Sequence, residues 1–189
     1  SAVPGARRAH EVSSAAVTQH EARSAGEALV PLVIMTHQAT EGAARRAVEA
    51  SGKPVFVAAD VGPLGVRLAP FGRVDPDEAR AAFKEQIEGL VAGGPDLIII
   101  ETMTDLYEVR EAIKAAKEVC DLPVLASMTF TRDDKTLLGD SPVKVATRMA
   151  DAGADVIGIN CSGGPAQLLR ILRKMRAAQP DALYSVMPN

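Results

Sequence analysis

The chain has 189 residues, of which 47% are hydrophobic and 24% are charged, a composition typical of a globular protein with one main core. A net charge of −3 and a pI near 5.7 give no electrostatic reason to expect nucleic acid or an anionic membrane as a partner. Aromatic residues make up only 3%, and no apolar run approaches the roughly 20 residues needed to span a bilayer. These features argue against a base-stacking surface and against a membrane-spanning helix.

The cysteine content indicates the compartment. Two cysteines, Cys120 and Cys161, are too few for a disulfide scaffold and predict a reducing, cytoplasmic setting. We interpret Cys120 as structural because it follows a predicted helix, at the end of the unit remote from the predicted strand tips.

The N-terminal stretch differs from the rest of the chain. Residues 1–28 are mostly small and polar, with almost no large apolar side chains to bury. We predict a leader, helical or disordered, followed by one domain over residues 29–189. His10 and His20 fall in this leader, and no partner ligand is spaced from either one for a metal.

Six apolar runs bounded by turn residues predict buried parallel strands at about 29–36, 54–60, 97–100, 122–130, 156–159 and 183–187. Pro31 removes a backbone donor from the first run, which predicts an edge strand. His37 follows this run, and we interpret it as a surface-loop residue, with a site role as the alternative.

Helix signals lie between these runs. Asp75-Pro76-Asp77-Glu78 combines a capping aspartate, a proline at the first position and acids in the first turn. Thr104 is predicted to cap the next helix, and Ser141-Pro142 and Pro165 to begin the last two. The predicted core faces of three of these helices are Ala79, Phe83, Ile87 and Leu90; Leu106, Val109, Ile113 and Ala116; and Leu168, Leu172 and Met175.

The spacing of the strand ends indicates the fold class. They fall near positions 60, 101, 129, 160 and 189, intervals that a repeated strand–helix unit requires. A closed eight-unit barrel needs about 250 residues, so this spacing is compatible with an open sheet or an incomplete barrel. We predict an α/β fold of the (β/α)8 TIM-barrel type, incomplete, with about six parallel units.

Two residues at strand ends are candidates for chemistry. Glu101 directly follows four aliphatic residues, so its partly buried carboxylate needs a cation, supplied either by a nearby arginine or by a ligand. Cys161 follows Asn160 at the end of another run, where parallel α/β folds build active sites. A small buried apolar side chain is the alternative interpretation of Cys161.

Five motifs occur in the order found in a known family. They are Asp60-Val61-Gly62-Pro63, Asp96 to Met103, Ser127-Met128-Thr129-Phe130, Gly158-Ile159-Asn160-Cys161 and Pro188-Asn189. Over about residues 53–189 the chain resembles the homocysteine-binding domain of cobalamin-dependent methionine synthase and betaine–homocysteine methyltransferase relatives. Met35-Thr36-His37-Gln38 departs from the family's usual Thr-Asn-Thr-Phe.

The resemblance implies a (β/α)8 barrel that binds zinc and homocysteine at the carboxyl ends of its strands. It implies that Cys161 is a zinc ligand and that Glu101 holds the homocysteine ammonium. It also implies that Asn189 lies close to the metal and can supply an oxygen ligand when substrate is absent. We also assign Asp60 and Asn160, which close strands within these motifs, to the substrate-binding set. No residue is assigned a catalytic role of its own.

The implied activity is methyl transfer to the zinc-bound thiolate of homocysteine, forming methionine. The methyl donor would be a methyl-corrinoid, or a sulfonium or betaine-type compound in simpler relatives. Corrinoid or folate domains of the same protein are the expected partners besides homocysteine.

Two family motifs have no match here: the Gly-Gly-Cys-Cys motif that supplies two further zinc ligands, and the turn that binds the amino-acid carboxylate. We therefore expect a portion of a methyltransferase domain that does not hold zinc tightly or turn over alone, and whose free strand edges favour self-association. The alternative is a degenerate, non-catalytic barrel module that binds an amino acid or a partner subunit. A pterin-binding barrel would explain the periodicity but not Glu101 and Cys161 together.

Overall fold

The computed structural model describes residues 32–35, 41–53 and 55–188. The predicted leader over residues 1–28, His37 and Asn189 lie outside these residues, so the expectations made for them stay predictions.

Six strands alternate with five helices along the chain. The strands are β1 Leu32–Met35, β2 Phe56–Val61, β3 Leu97–Met103, β4 Val124–Met128, β5 Val156–Asn160 and β6 Leu183–Met187. The helices are α1 Glu41–Ser51, α2 Pro76–Val91, α3 Leu106–Val119, α4 Pro142–Ala152 and α5 Pro165–Ala178. Each of the six predicted apolar runs overlaps one of these strands, and β2, β3 and β5 continue one to three residues past the predicted ends.

The strands form one parallel sheet in which spatial order equals chain order, β1-β2-β3-β4-β5-β6. A doubly wound sheet reverses its strand order partway, whereas a barrel adds each new strand to the same side. The unbroken order is therefore that of barrel winding. Among the described residues β1 and β6 each have one neighbour, which agrees with an edge position for the first strand.

The main core lies between the sheet and the helices. Alternate strand residues point into it, such as Ile98 and Ile100 of β3 and Ile157 and Ile159 of β5. The predicted faces of α2 and α3 are buried throughout. In α5, Leu168 and Met175 are buried as predicted, Leu172 is half-buried, and Ile171 joins the core as well.

The helix caps agree with the predictions at two starts and differ at a third. Asp75 and Ser141 accept backbone N–H bonds at the starts of α2 and α4, each followed by proline. The prediction that Thr104 caps α3 was wrong, because the carboxylate of Asp105 accepts the bond from the backbone N–H of Tyr107 instead. Both residues are good capping types, and the helix begins one position later than expected.

In the part of the chain that the structure covers, no helix combines the length and the apolar character that crossing a bilayer requires.

Candidate functional site

The candidate site residues lie at one edge of the sheet. Asp60, Glu101 and Asn160 fall at or near the carboxyl ends of β2, β3 and β5, and the carboxyl ends of parallel strands share one edge. By strand alternation all three side chains point to the face opposite the helices, since Ala59, Ile100 and Ile159 point into the main core. Cys161 follows Asn160 directly at the same edge.

Asn160 joins the tips of β3 and β5. It is 2% exposed, and its Oδ1 accepts a hydrogen bond from the backbone N–H of Thr102 at 3.1 Å. Its Nδ2 lies 2.9 Å from Thr102 Oγ1, 3.3 Å from Glu101 Oε2 and 3.6 Å from Cys161 Sγ. One buried amide therefore contacts both the carboxylate and the thiol that the sequence singled out. Its four contacts indicate that it orients these groups, and its assignment to substrate binding stays a prediction.

Cys161 is exposed, so the alternative of a small buried apolar side chain does not describe it. Its backbone has a φ of 49°, in the left-handed region that costs a non-glycine residue about 1–2 kcal/mol. Thr102 faces it with a φ of 58°, and the hydroxyl of Thr102 lies 3.8 Å from Cys161 Sγ. Backbone strain of this kind persists only where the surroundings determine the conformation, and here it occurs on both sides of the thiol.

Thr102 is a site residue that the sequence reasoning missed. It donates its backbone N–H to Asn160, and its hydroxyl is within reach of both Asn160 Nδ2 and Cys161 Sγ. Its place directly after Glu101 in the Glu101-Thr102-Met103 motif was the available signal.

Glu101 has no cationic partner among the residues that the structure describes. None of the ion pairs found there includes it, and its one hydrogen bond there comes from the Asn160 amide. Of the two sources of positive charge considered from the sequence, a neighbouring arginine is not found in this region. A cationic ligand group stays the other source that the sequence predicts.

Asp60 is the second carboxylate near this position. Its Oδ1 is buried and has no hydrogen-bond partner within the described chain. Burial, and after it the negative charge of Glu101, raises the pKa of Asp60 to about 7, against the opposing effect of the backbone N–H of Val61. Near neutral pH this carboxyl exchanges its proton, and a cation placed between Asp60 and Glu101 would favour the charged form.

The floor of this face is formed by Ser127 and Gly158, which are register partners in β4 and β5. A Cβ added to Gly158 would lie 1.9 Å from Ser127 Oγ, so the close packing of these strands requires glycine there. Ser127 Oγ is buried and, like Asp60 Oδ1, lacks a hydrogen-bond partner in the described region.

The described residues do not make a complete zinc site. Cys161 contributes one sulfur, Asn189 lies outside the described residues, and no group of three His, Cys, Asp or Glu side chains suited to a metal occurs within residues 44–53 and 55–188. A catalytic zinc needs about three protein ligands. The exposed thiol of Cys161 fits the role of one such ligand.

Cys120 lies away from the site. It is half-buried at the end of α3, and its thiol contacts the carbonyl oxygen of Ala116 at 3.6 Å. This placement agrees with a structural role. A cleft of about 230 Å³ beside the loops after β2, β3 and β4 is also separate, since neither Glu101 nor Cys161 lines it.

Comparison with known proteins identifies the family. The family model of homocysteine S-methyltransferase matches residues 13–189. The chain is 31% identical to methionine synthase from Mycobacterium tuberculosis over 154 residues, which are 77% of this chain and 13% of that protein. It is 29% identical to betaine–homocysteine S-methyltransferase 1 from Danio rerio over 106 residues, which are 56% of this chain and 26% of that protein.

Solved structures give the same fold. The apo form of the homocysteine methyltransferase MmuM from Escherichia coli superposes with a TM-score of 0.58 at 19% identity, covering 84% of this chain and 74% of that one. The carboxyl transferase domain of Rhizobium etli pyruvate carboxylase has a TM-score of 0.54 at 14% identity, covering 79% of this chain and 25% of that one. The predicted α/β fold of the TIM-barrel type, with six strand units present, is thus confirmed. The match over nearly the whole sequence shows that the chain belongs to the homocysteine S-methyltransferase family.

Proposed function

We propose that this chain binds homocysteine at the edge formed by β2, β3 and β5, as part of a zinc-dependent S-methyltransferase of the methionine synthase type. The observation that carries the proposal is Glu101, a half-buried carboxylate without a cationic partner in the described chain, beside the orphaned oxygen of Asp60. Homocysteine is proposed as the substrate because the chain belongs to the homocysteine S-methyltransferase family.

The ammonium group of homocysteine suits these two carboxyl groups. An ammonium carries three N–H donors and one positive charge, and charge-assisted hydrogen bonds are about twice as strong as neutral ones. Glu101 Oε2 receives only a long bond of 3.3 Å from Asn160, and Asp60 Oδ1 receives none in the described region. Both oxygens gain a donor when an ammonium binds between them.

Cys161 is the second residue that supports the proposal. Its exposed sulfur lies at the same edge, linked to Glu101 through the Asn160 amide. A zinc ion bound there would hold the substrate sulfur as a thiolate, which is the reactive form at neutral pH. The protein's own residues orient the substrate so that its sulfur lies toward Cys161 while its ammonium is held at Glu101.

The proposal also includes a methyl donor, partner domains and a cellular location. A methyl-corrinoid carried by another domain is the donor that methionine synthase relatives suggest, with corrinoid or folate domains as partners. The cysteine content supports a cytoplasmic location.

The ammonium contact is tested with Glu101→Gln. Removing one charged hydrogen-bond partner is expected to weaken homocysteine binding by at least about tenfold, because such bonds contribute about 1.5–3 kcal/mol. Isothermal titration calorimetry of the 189-residue chain with homocysteine measures the affinity. Glu88→Gln, on the exposed side of α2, is the matched control. Equal affinities for Glu101→Gln and the parent chain would remove Glu101 from the site.

The metal role is tested with Cys161→Ala. Because the described residues supply a single ligand, we expect weak zinc binding that this substitution abolishes, measured by zinc titration in competition with a chromophoric chelator. Cys120→Ala is the control and should bind zinc as the parent does. Zinc binding that survives the loss of Cys161 contradicts the proposed ligand and favours a non-catalytic binding module.

A further inference from the structure

We infer that Ser162 is a positioning residue that fixes the direction of the Cys161 sulfur by bridging the tips of β4 and β5. The direction of the sulfur follows from the hydrogen bonds alone, whereas its use in holding a metal rests on the proposed function.

The Cys161 backbone needs such a restraint. Its φ of 49° is unfavourable for a residue with a Cβ, and the residue is exposed, so apolar packing does not hold it. The neighbouring hydrogen bonds must therefore stabilise this conformation.

The restraint on the β3 side comes from Asn160. Its side chain is bound to Thr102 through both amide atoms, which fixes the residue immediately before Cys161. This contact leaves the residue after Cys161 free to rotate, so it holds only one end of the turn.

Ser162 holds the other end. Its Oγ accepts a hydrogen bond from the backbone N–H of Phe130 at 2.7 Å and donates one to the carbonyl oxygen of Asn160 at 3.1 Å. As an acceptor the hydroxyl binds the segment that follows β4, and as a donor it binds the residue that precedes Cys161. The same Asn160 carbonyl also accepts a bond from Thr129 Oγ1 at 3.2 Å.

The segment that receives this bridge is itself anchored to α5. The amide of Gln167 donates to the carbonyl oxygen of Thr131 at 2.7 Å, and Arg170 forms two 2.7 Å bonds with Asp134. Phe130 is 2% exposed. Ser162 therefore connects the strained cysteine to a fixed support.

Loss of the hydroxyl should release the turn without unfolding the core, because Ser162 belongs to neither a helix nor a strand. A hydrogen bond contributes about 1 kcal/mol to stability. Ser162→Ala is therefore expected to lower about fivefold the ratio between the population with a left-handed Cys161 backbone and the population with an extended one.

The test uses the 189-residue chain and nuclear magnetic resonance. The three-bond coupling between the amide and α protons and the Cα chemical shift of Cys161 report its φ. Nuclear Overhauser contacts between the Cys161 β protons and the Thr102 methyl group report the direction of the sulfur. Ser162→Ala should lose the left-handed signature and weaken these contacts, and Ser162→Thr, which keeps a hydroxyl, should restore both.

Ser141→Ala is the matched control, because it also removes a serine hydroxyl that accepts a backbone N–H, but at the start of α4. It should leave the Cys161 signals unchanged. Thr129→Val, which removes the second bond to the Asn160 carbonyl, is measured as well and should shift the Cys161 φ in the same direction. Should Ser162→Ala fail to fold, Ser162→Gly, which also removes the hydroxyl, takes its place. An unchanged Cys161 in whichever of the two variants folds overturns the inference.

These signals need neither zinc nor homocysteine. Failure of the proposed function would appear in the Glu101 and Cys161 binding experiments and would leave the resonance result as it is.

Discussion

At the scale of single residues, Asp60 shows how burial and a neighbouring charge together change the titration of a carboxyl group. Its buried oxygen has no partner in the described chain, and its pKa is raised to about 7 by burial and by the charge of Glu101. An aspartate in water has a pKa near 4, so the folded protein binds a proton that the unfolded chain releases.

The pH dependence of stability follows from this difference. Between the ordinary value of 3.8 and about 7, the folded state holds more protons than the unfolded one, so the free energy of unfolding falls as pH rises through this window. Asp60→Asn removes the titrating carboxyl. It should be more stable than the parent chain at pH 8 by on the order of a few kcal/mol, with a difference that shrinks toward pH 4.

Urea unfolding at pH 4, 6 and 8 measures this prediction. Asp181→Asn, at an exposed aspartate, serves as the control and should show no such trend. A constant difference between Asp60→Asn and the parent across the three pH values contradicts the raised pKa.

The sequence singled out residue types at the strand ends, and their roles stay predictions. A glutamate directly after four aliphatic residues calls for a positive charge, an expectation that follows from the sequence alone. That Asn160 contacts Thr102, Glu101 and Cys161 at once could not be read from the sequence, because it depends on how two strands separated by β4 approach each other at their ends. Whether Thr104 or Asp105 caps α3 likewise depended on the exact residue at which the helix begins, and adjacent capping residues in the sequence do not determine this.

At the scale of elements, Asp134 joins the loop after β4 to α5. Its side chain is 9% exposed and lies 2.7 Å from Arg170 Nε and 3.0 Å from Lys174 Nζ. The hydrogen bonds from Arg170 and Lys174 hold the pKa of Asp134 well below its usual range despite burial. One carboxylate thus fastens a loop at the site edge to the outer helix layer.

Asp134→Asn is expected to destabilise the chain by about 1.5–3 kcal/mol at pH 7, the range for hydrogen bonds to charged groups. Because the folded pKa is depressed, this stabilisation is fully present above the ordinary aspartate pKa of about 4 and is lost as pH falls below it. Chemical denaturation at pH 7 and pH 3 should therefore show a large difference from the parent chain at pH 7 and a smaller one at pH 3.

Asp121→Asn changes an exposed aspartate for which no ion pair is found within the described ranges, and it should be neutral at both pH values. A loss of stability at Asp134 that does not depend on pH would mean that packing, rather than the charge, holds the loop.

The elements themselves were largely predictable. The strands β3 and β5 do not alternate between buried and exposed residues, because parallel strands are covered on both faces. Their sequences are therefore continuous apolar runs, and such runs can be recognised without a structure. The face of α2 followed from its 3.6-residue period. The left-handed backbone of Thr102, Asp134 and Cys161 gave no comparable signal, since each is a residue type common in ordinary conformations.

At the scale of the whole molecule, the two edges of the described sheet are the main feature. Among the described strands, β1 pairs only with β2 and β6 pairs only with β5. Leu183 at the beginning of β6 is 67% exposed. Free edges of this kind favour pairing with another chain.

We therefore expect the 189-residue chain to self-associate in a concentration-dependent way. Sedimentation velocity over a hundredfold range of concentration measures this. Ser185→Pro, which places a residue without an N–H within β6, should reduce association, whereas Arg132→Pro, at an exposed turn position outside the sheet, should not. A single monomeric species at every concentration contradicts the prediction.

The strict agreement between strand order and chain order also bears on how the polypeptide is made. Among the described strands, each strand from β2 to β6 pairs with the strand synthesised immediately before it, so these five pairings can form in the order of synthesis, from the N-terminal side.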